Sequence, residues 1–385
     1  MKNKSNVMAI VFIFAMMILV AAIENIRGIF IPVFMKEFSV NNSSIGTMVT
    51  VSSLGYIFST FIGGGLCEKL GQKKVFILGF VFIILSLGVL SITYGFPLLL
   101  FAMFVMNIGL AFTGIATNTL VPVLFLSFQA ILMNLTHFCY GLGSTIAQRT
   151  SGLLINSGIS WRTIYLAEAG VTLIFLLIFF FVKIPEPPKK IHNKTVNKFD
   201  VFKNKLFYFY AAGLGFYVFA EIATGTWFVT FMTKTYDYDG AKSSFYLALF
   251  FAIFTIGRLL GGFVVEKTGY LNTVIVSLVI AFILFSLGVF IGQQGMIIIS
   301  ISGLFFAIGF PTIVLSVRKV FKENSDYITG AVITCASTIN MIMNFFMGKL
   351  NDVLGNYLAF YIIPISLMLS IISVYVIYKN TKECF

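Results

Sequence analysis

Charge is what this sequence has least of. Only 10% of its 385 residues are Asp, Glu, Lys or Arg, against roughly a quarter in an ordinary soluble domain. With 59% of the chain hydrophobic, water cannot be its main solvent. Cysteine is scarce too: Cys67, Cys139, Cys335 and Cys384 are scattered, form no C-x-x-C pair and have no histidine cluster beside them. That excludes a zinc site or a dithiol redox motif, and the four read as reduced packing residues. No phosphate loop of the G-x-x-x-x-G-K-[ST] kind is present, and no nucleophile, base and orienting group fall at a recognisable spacing. The expectation is a protein that is not an enzyme and carries no metal and no cofactor.

Long apolar runs are what the chain has in abundance. A bilayer core about 30 Å thick needs about 20 apolar residues per helical span, and such runs follow one another from end to end. The spacing predicts helices near 7–35, 43–67, 74–93, 97–124, 128–153 and 162–183, then near 205–232, 243–265, 272–292, 295–317, 327–348 and 356–378. Lys2 and Lys4 ahead of the first run imitate a secretory leader, but the run continues to Phe34, too far for one. The expectation is an all-α membrane protein of twelve spans.

The net charge of +12 sits in short loops. Most of the cations fall on the side that also holds the N-terminus, which is the positive-inside bias. It predicts that both termini are cytoplasmic and that the cations face lipid headgroups rather than nucleic acid. From Lys183 to Lys205 the chain holds Pro185, Pro187, Pro188 and seven lysines, counting both ends, opposed only by Glu186 and Asp200. Such a stretch cannot span lipid. It divides the chain into residues 1–183, a cytoplasmic linker 184–204, and residues 205–385.

The halves repeat. Gly64, Glu68, Lys69 and Gly71 recur as Gly262, Glu266, Lys267 and Gly269, each set closing an apolar helix. Duplicated six-helix halves are a common plan of secondary transporters, whose substrate site lies near the midplane where the halves meet. The first copy, Gly64-Gly65-Leu66-Cys67-Glu68-Lys69-Leu70-Gly71-Gln72-Lys73-Lys74, resembles the G-x-L-A-D-R-x-G-R-K loop of the major facilitator superfamily, with Glu for Asp and Lys for Arg. The resemblance implies a gate on the inner side, held by ion pairs of Glu68, Lys69, Glu266 and Lys267 that break on opening.

A more diffuse resemblance, to the fucose-galactose-glucose proton symporter family, covers most of the chain. It rests on Asn134-Leu135-Thr136-His137-Phe138 with Gly141 and Gly143, on Trp161-Arg162 with Tyr165, and on Glu221 with Trp227. Phe250-Phe251, Gly257-Arg258-Leu259-Leu260-Gly261-Gly262 and Phe310-Pro311-Thr312 complete it. The chain departs from that family where substrate chemistry is decided. Gly114 stands where some members carry a glutamate, and Arg27-Gly28 precedes Pro32 where the fucose transporter has an Asn-Asp pair.

Ionisable groups inside spans mark function, since holding a charge at the bilayer centre costs at least ~2.5–3.5 kcal/mol on insertion scales. Glu24, Arg27, His137, Arg149, Glu168, Glu221 and Arg258 qualify. Glu221 has no cation within a turn of its own helix, and a carboxyl able to hold a proton at that depth suits proton coupling. Glu24 and His137 are the further candidates for that role. Glu24 and Arg27, three apart, share a face and either fix packing or line a cavity.

Arg149 either snorkels to the headgroups or, with Arg27, attracts an anion. Arg258 is expected to reach the inner interface and join Glu266. Glu168 is read as a partner of Arg162 or of another helix. Asn118, Tyr140, Tyr217, Gln148, Trp227, Asn340 and Asn344 offer the amides, hydroxyl and aromatic faces that hold a polar solute.

Taken together, these residues predict a proton-coupled importer of a sugar or similar small polar solute, working as a monomer by alternating access. Sodium in place of the proton stays open, as do an organic-anion symporter and a drug/proton antiporter. The stretch from Gly143 to Arg149 lacks the Gly-Pro step expected of the last.

Overall fold

In a computed structural model, which describes residues 2–124, 129–182, 200–321 and 325–381, the described residues are mostly helical, joined by short turns, with no strand among them. The first six spans are built from α1 (Lys2–Asn25) with α2 (Arg27–Glu37), α3 (Asn42–Leu70), α4 (Gln72–Ser91), α5 (Phe96–Leu124), α6 (Gln129–Asn156) and α7 (Trp161–Phe181). The second six are α8 (Lys205–Tyr236), α9 (Gly240–Thr268), α10 (Tyr270–Ile291), α11 (Met296–Phe306) with α12 (Gly309–Val320), α13 (Ser325–Ala359) and α14 (Ile362–Asn380).

Two expected spans are each split into a pair of helices. The first breaks at Ile26, between Asn25 and Arg27, and the tenth breaks between Phe306 and Gly309. Among the described residues, nine stretches are long and apolar enough to cross a membrane, and one of them, Tyr270–Val320, folds back at Gly292–Gly295 to supply two spans. Their outer faces carry large apolar side chains: Phe181 is 81% exposed, Phe290 76% and Phe263 71%. Water tolerates no such surface over a whole molecule, whereas lipid requires it, and helices that satisfy their own backbone groups are what hydrocarbon permits.

The helix ends follow from local chemistry. Asn41 accepts a hydrogen bond from the Ser44 N–H at 3.0 Å, Ser160 from the Arg162 N–H at 3.3 Å, and Asn204 from the Leu206 N–H at 2.9 Å, the work of N-cap residues. The repeated loop is repeated in conformation as well. Gly71 turns α3 into α4 at φ 83° and ψ 153°, and Gly269 turns α9 into α10 at φ 89° and ψ 152°. That region is open to glycine and closed to other residues, so both copies need Gly at this point.

Two compact units emerge. The first comprises Met1–Ile191 together with Asp239–Ala248, and the second comprises His192–Tyr238 with Leu249–Phe385. In the first, α4 packs on α5 and α7, α3 on α5, and α1 on α6; in the second, α8 packs on α13 and α14, and α10 on α11 and α14.

The sequence reading gives all of α9 to the second half, but its first turns cluster with the first unit. The reason is local. Gly152 of α6 leaves room for Ser244, whose Oγ would lie 2.0 Å from an added Cβ. Beside it Arg149 donates to the Ala241 carbonyl at 2.5 Å and sits 5.6 Å from the Phe245 ring centre.

Candidate functional site

The polar centre of the first unit is assembled on α1, α2, α6 and α7. Asn25 Nδ2 donates to the Tyr140 hydroxyl at 3.0 Å, and that hydroxyl donates to Glu24 Oε2 at 2.7 Å. Tyr140 therefore uses both its acceptor and its donor, and the direction of the chain fits a carboxylate at Glu24. The close approach that makes this reach possible is Gly143, where a Cβ would fall 2.2 Å from the Ile18 carbonyl oxygen of α1.

Arg27 opens α2 just past the break at Ile26. The charges that bear on its guanidinium are those of Glu24, Tyr165 and Tyr140. His137 lies half-buried one turn before Tyr140.

Farther along α6, Gln148 is wholly buried and neither its amide oxygen nor its amide nitrogen has a hydrogen-bond partner. The hydroxyls of Ser144 and Thr145 are likewise buried and unpartnered. Orphaned groups of this kind cost about 1–3 kcal/mol each, and such a cluster within one helical turn of α6 calls for a ligand with hydroxyls.

In the second unit α8, α9 and α11 meet at Glu221. Its Oε1 lies 3.5 Å from Arg258 Nη2, and its Oε2 lies 2.8 Å from the Tyr217 hydroxyl. That hydroxyl also sits 2.6 Å from the Phe306 carbonyl oxygen, which can only accept. Tyr217 has one proton for two neighbours. If it serves Phe306, then Glu221 must bring a proton of its own to complete the chain; if Glu221 is charged, Arg258 is there to hold it.

A separate amide network joins α8 to α13. Trp227 Nε1 donates to Asn344 Oδ1 at 3.1 Å, and Asn344 Nδ2 donates to Asn340 Oδ1 at 2.8 Å.

Two expectations are corrected by this geometry, and Glu221, with no cation within a turn of its own helix, has one supplied from α9. Arg258 meets Glu221 instead of joining Glu266 at the inner loop. Arg162 is taken by Glu37, with which it forms an ion pair, and its Nε donates to the Thr93 carbonyl at 2.7 Å, so it is not the partner of Glu168. Trp161 Nε1 donates to the same Glu37 carboxylate at 2.7 Å.

Arg149, named as a substrate group, spends its guanidinium on Ala241 and Phe245. Of the loop residues, Lys69, Glu266 and Lys267 are exposed, while the side chains of Glu68 and Asn118, and Gly64 in the same way, lie outside the described residues. Most of the linker 184–204 lies outside them as well, only its end appearing as a short 3-10 turn at Asp200–Lys203.

Twelve apolar spans in two sets, with ionisable groups held among the helices, define a polytopic membrane transporter. The family model described as Major Facilitator Superfamily matches residues 12–326, and the chain belongs to that superfamily. It is similar to a provisionally named glucose/galactose transporter of Helicobacter pylori, with 25% identity over 359 residues covering 86% of this chain and 88% of that one. Among solved structures it resembles the Escherichia coli fucose:proton symporter, at TM-score 0.69 and 19% identity over 97% of this chain and 99% of that one. It also resembles a D-xylose-proton symporter, at TM-score 0.80 and 14% identity over 96% of this chain and 97% of that one.

Proposed function

We propose that the protein imports a sugar or similar neutral, hydroxyl-rich solute together with a proton, by alternating access, working as a monomer with both termini in the cytoplasm. The observation that carries the proton half of this reading is the single Tyr217 proton shared between Phe306 and Glu221. With a proton on Glu221, its Oε2–H donates to Tyr217 and Tyr217 donates to the Phe306 carbonyl. Without it, the carboxylate rests against Arg258. Both states have partners, which is what a reversible proton carrier needs. Glu24 and His137 are then available to the same exchange from the first unit.

The solute half is supported by Gln148 and its neighbours Ser144 and Thr145, whose donors and acceptors match hydroxyl groups that both give and take hydrogen bonds. In the first unit Tyr140 and Arg27 would supply further contacts and a cation, and in the second unit Trp227, Asn340 and Asn344 offer an indole and amides of the same character. A sugar also agrees with the names of the similar transporters. An anionic solute is the weaker choice, because Arg149 is already occupied.

Substrate and proton each favour the switching-competent state and therefore each other. Uptake of labelled glucose, galactose, a sugar acid and a cationic dye into proteoliposomes, with and without an inward proton gradient, tests the proposal. Accumulation of a neutral sugar only with the gradient is expected; accumulation of the acid alone, or movement of the dye alone, would overturn it.

A further inference from the structure

We infer that Glu168 is a second proton-binding site of this transporter, lying in the first unit and loaded independently of Glu221; the inference rests on the proton-coupled reading above. Glu168 sits seven residues into α7, about 10 Å along the helix from Trp161 at 1.5 Å per residue, well inside the span. Its Oε2 is buried and has no hydrogen-bond partner. One turn earlier on the same helix, the Tyr165 hydroxyl is buried and unpartnered too.

The surrounding charges do not compensate a carboxylate there. Arg27 on α2 answers to Glu24 on α1 and to Tyr140 on α6, and Glu168 is not among the groups that bear on it. Tyr165 is within electrostatic reach of both Glu168 and Arg27. On α4, Lys73 meets α7 only at its far end, donating to the carbonyls of Phe180 and Val182 at 3.1 and 2.9 Å. Arg162, the cation nearest in sequence, is spent on Glu37 and Thr93. An ionised carboxyl buried without a cation or donor is strongly disfavoured, whereas the neutral acid needs no counter-charge. The group is therefore held as the acid.

A proton can be delivered to a carboxyl oxygen that has no hydrogen-bond partner. Tyr165, one turn away and with an unpartnered hydroxyl, is the group best placed to donate a hydrogen bond to the carboxylate when the proton leaves. The step is a bare protonation: Glu168 takes a proton from water on one side and returns it to water on the other, and no other bond changes. By contrast Glu24 receives the Tyr140 proton and Glu221 has both Arg258 and Tyr217. Among the described residues, Glu168 is the carboxyl with a buried oxygen that has no hydrogen-bond partner.

The test is infrared difference spectroscopy of the full-length protein in lipid nanodiscs during a pH titration, a readout that needs no substrate. A protonated-carboxyl carbonyl band is expected in the wild type, lost in Glu168→Gln and retained at a shifted frequency in Glu168→Asp. An unchanged band in Glu168→Gln would overturn the inference even if sugar uptake is confirmed. In proteoliposomes, gradient-driven galactose accumulation is expected to be lost in Glu168→Gln and kept in part in Glu168→Asp; wild-type accumulation by Glu168→Gln would also overturn it. Should no sugar be carried at all, the proton-symport reading falls while the spectrum still decides the protonation of Glu168.

Discussion

At the scale of single residues, Glu221, Arg258 and Tyr217 behave as one unit, and their energetics can be separated by substitution. Removing one member of a buried ion pair costs roughly 3–5 kcal/mol because the other charge is left without a partner. The pair here is partly accessible, with side chains 17% and 19% exposed, so the lower end of that range applies at most. Arg258→Met should lower the melting temperature in detergent and abolish gradient-driven uptake by leaving Glu221 no support for its charge. The double variant with Glu221→Gln should recover much of the lost stability, because Gln can still accept from Tyr217 and carries no charge. Melting shifts that simply add would dissociate the two residues.

Glu221→Gln alone should exchange solute across the membrane but no longer accumulate it, measured as counterflow against gradient-driven uptake. What the sequence could not supply is the third dimension of this unit: a cation from another helix is invisible to spacing along one helix. Tyr217, four residues before Glu221, was visible as a polar aromatic but not as its hydrogen-bond donor.

At the scale of elements, packing depends on places where two helices approach closer than a side chain allows. Gly143 is the clearest, since an added Cβ would meet the Ile18 carbonyl oxygen at 2.2 Å and backbone cannot yield as a flexible side chain does. Gly143→Val should destabilise the first unit by about 1–3 kcal/mol of overpacking. It should also separate Tyr140 from Glu24 and Asn25, lowering uptake more than the stability loss alone explains. A melting temperature and uptake rate equal to wild type would show that α1 and α6 part easily here.

The elements themselves were legible, because twenty-residue apolar runs and the Gly71 and Gly269 turns leave few alternatives. The breaks were not. Ile26 is flanked by Asn25 and Arg27, and Pro311 removes the helical bond to Ala307 just before Gly309, but polar residues and prolines also occur inside continuous helices, so neither fixes a break by itself. Glu37 was missed for a related reason: at the end of the first span it looks like an ordinary solvated acid, and only the fold brings Trp161 and Arg162 to it.

At the scale of the whole molecule, the bias of lysine and arginine toward the inner loops sets the orientation in the membrane. The repeated loops at Lys69 and Lys267 should then lie in the cytoplasm, and the turns at Ser157 and Asp239 outside. The prediction can be checked in a background with Cys67, Cys139, Cys335 and Cys384 replaced by serine, adding one cysteine at a time at Ser157, Asp239, Lys69 or Lys267. In right-side-out vesicles a membrane-impermeant maleimide should label Ser157→Cys and Asp239→Cys at once, and Lys69→Cys and Lys267→Cys only after permeabilisation. The reverse pattern would turn the molecule over without changing the direction of transport, because a symporter carries its solute with the proton down the same gradient. Labelling of all four from outside would contradict the odd number of spans between Lys69 and Ser157, which are separated by three, α4, α5 and α6.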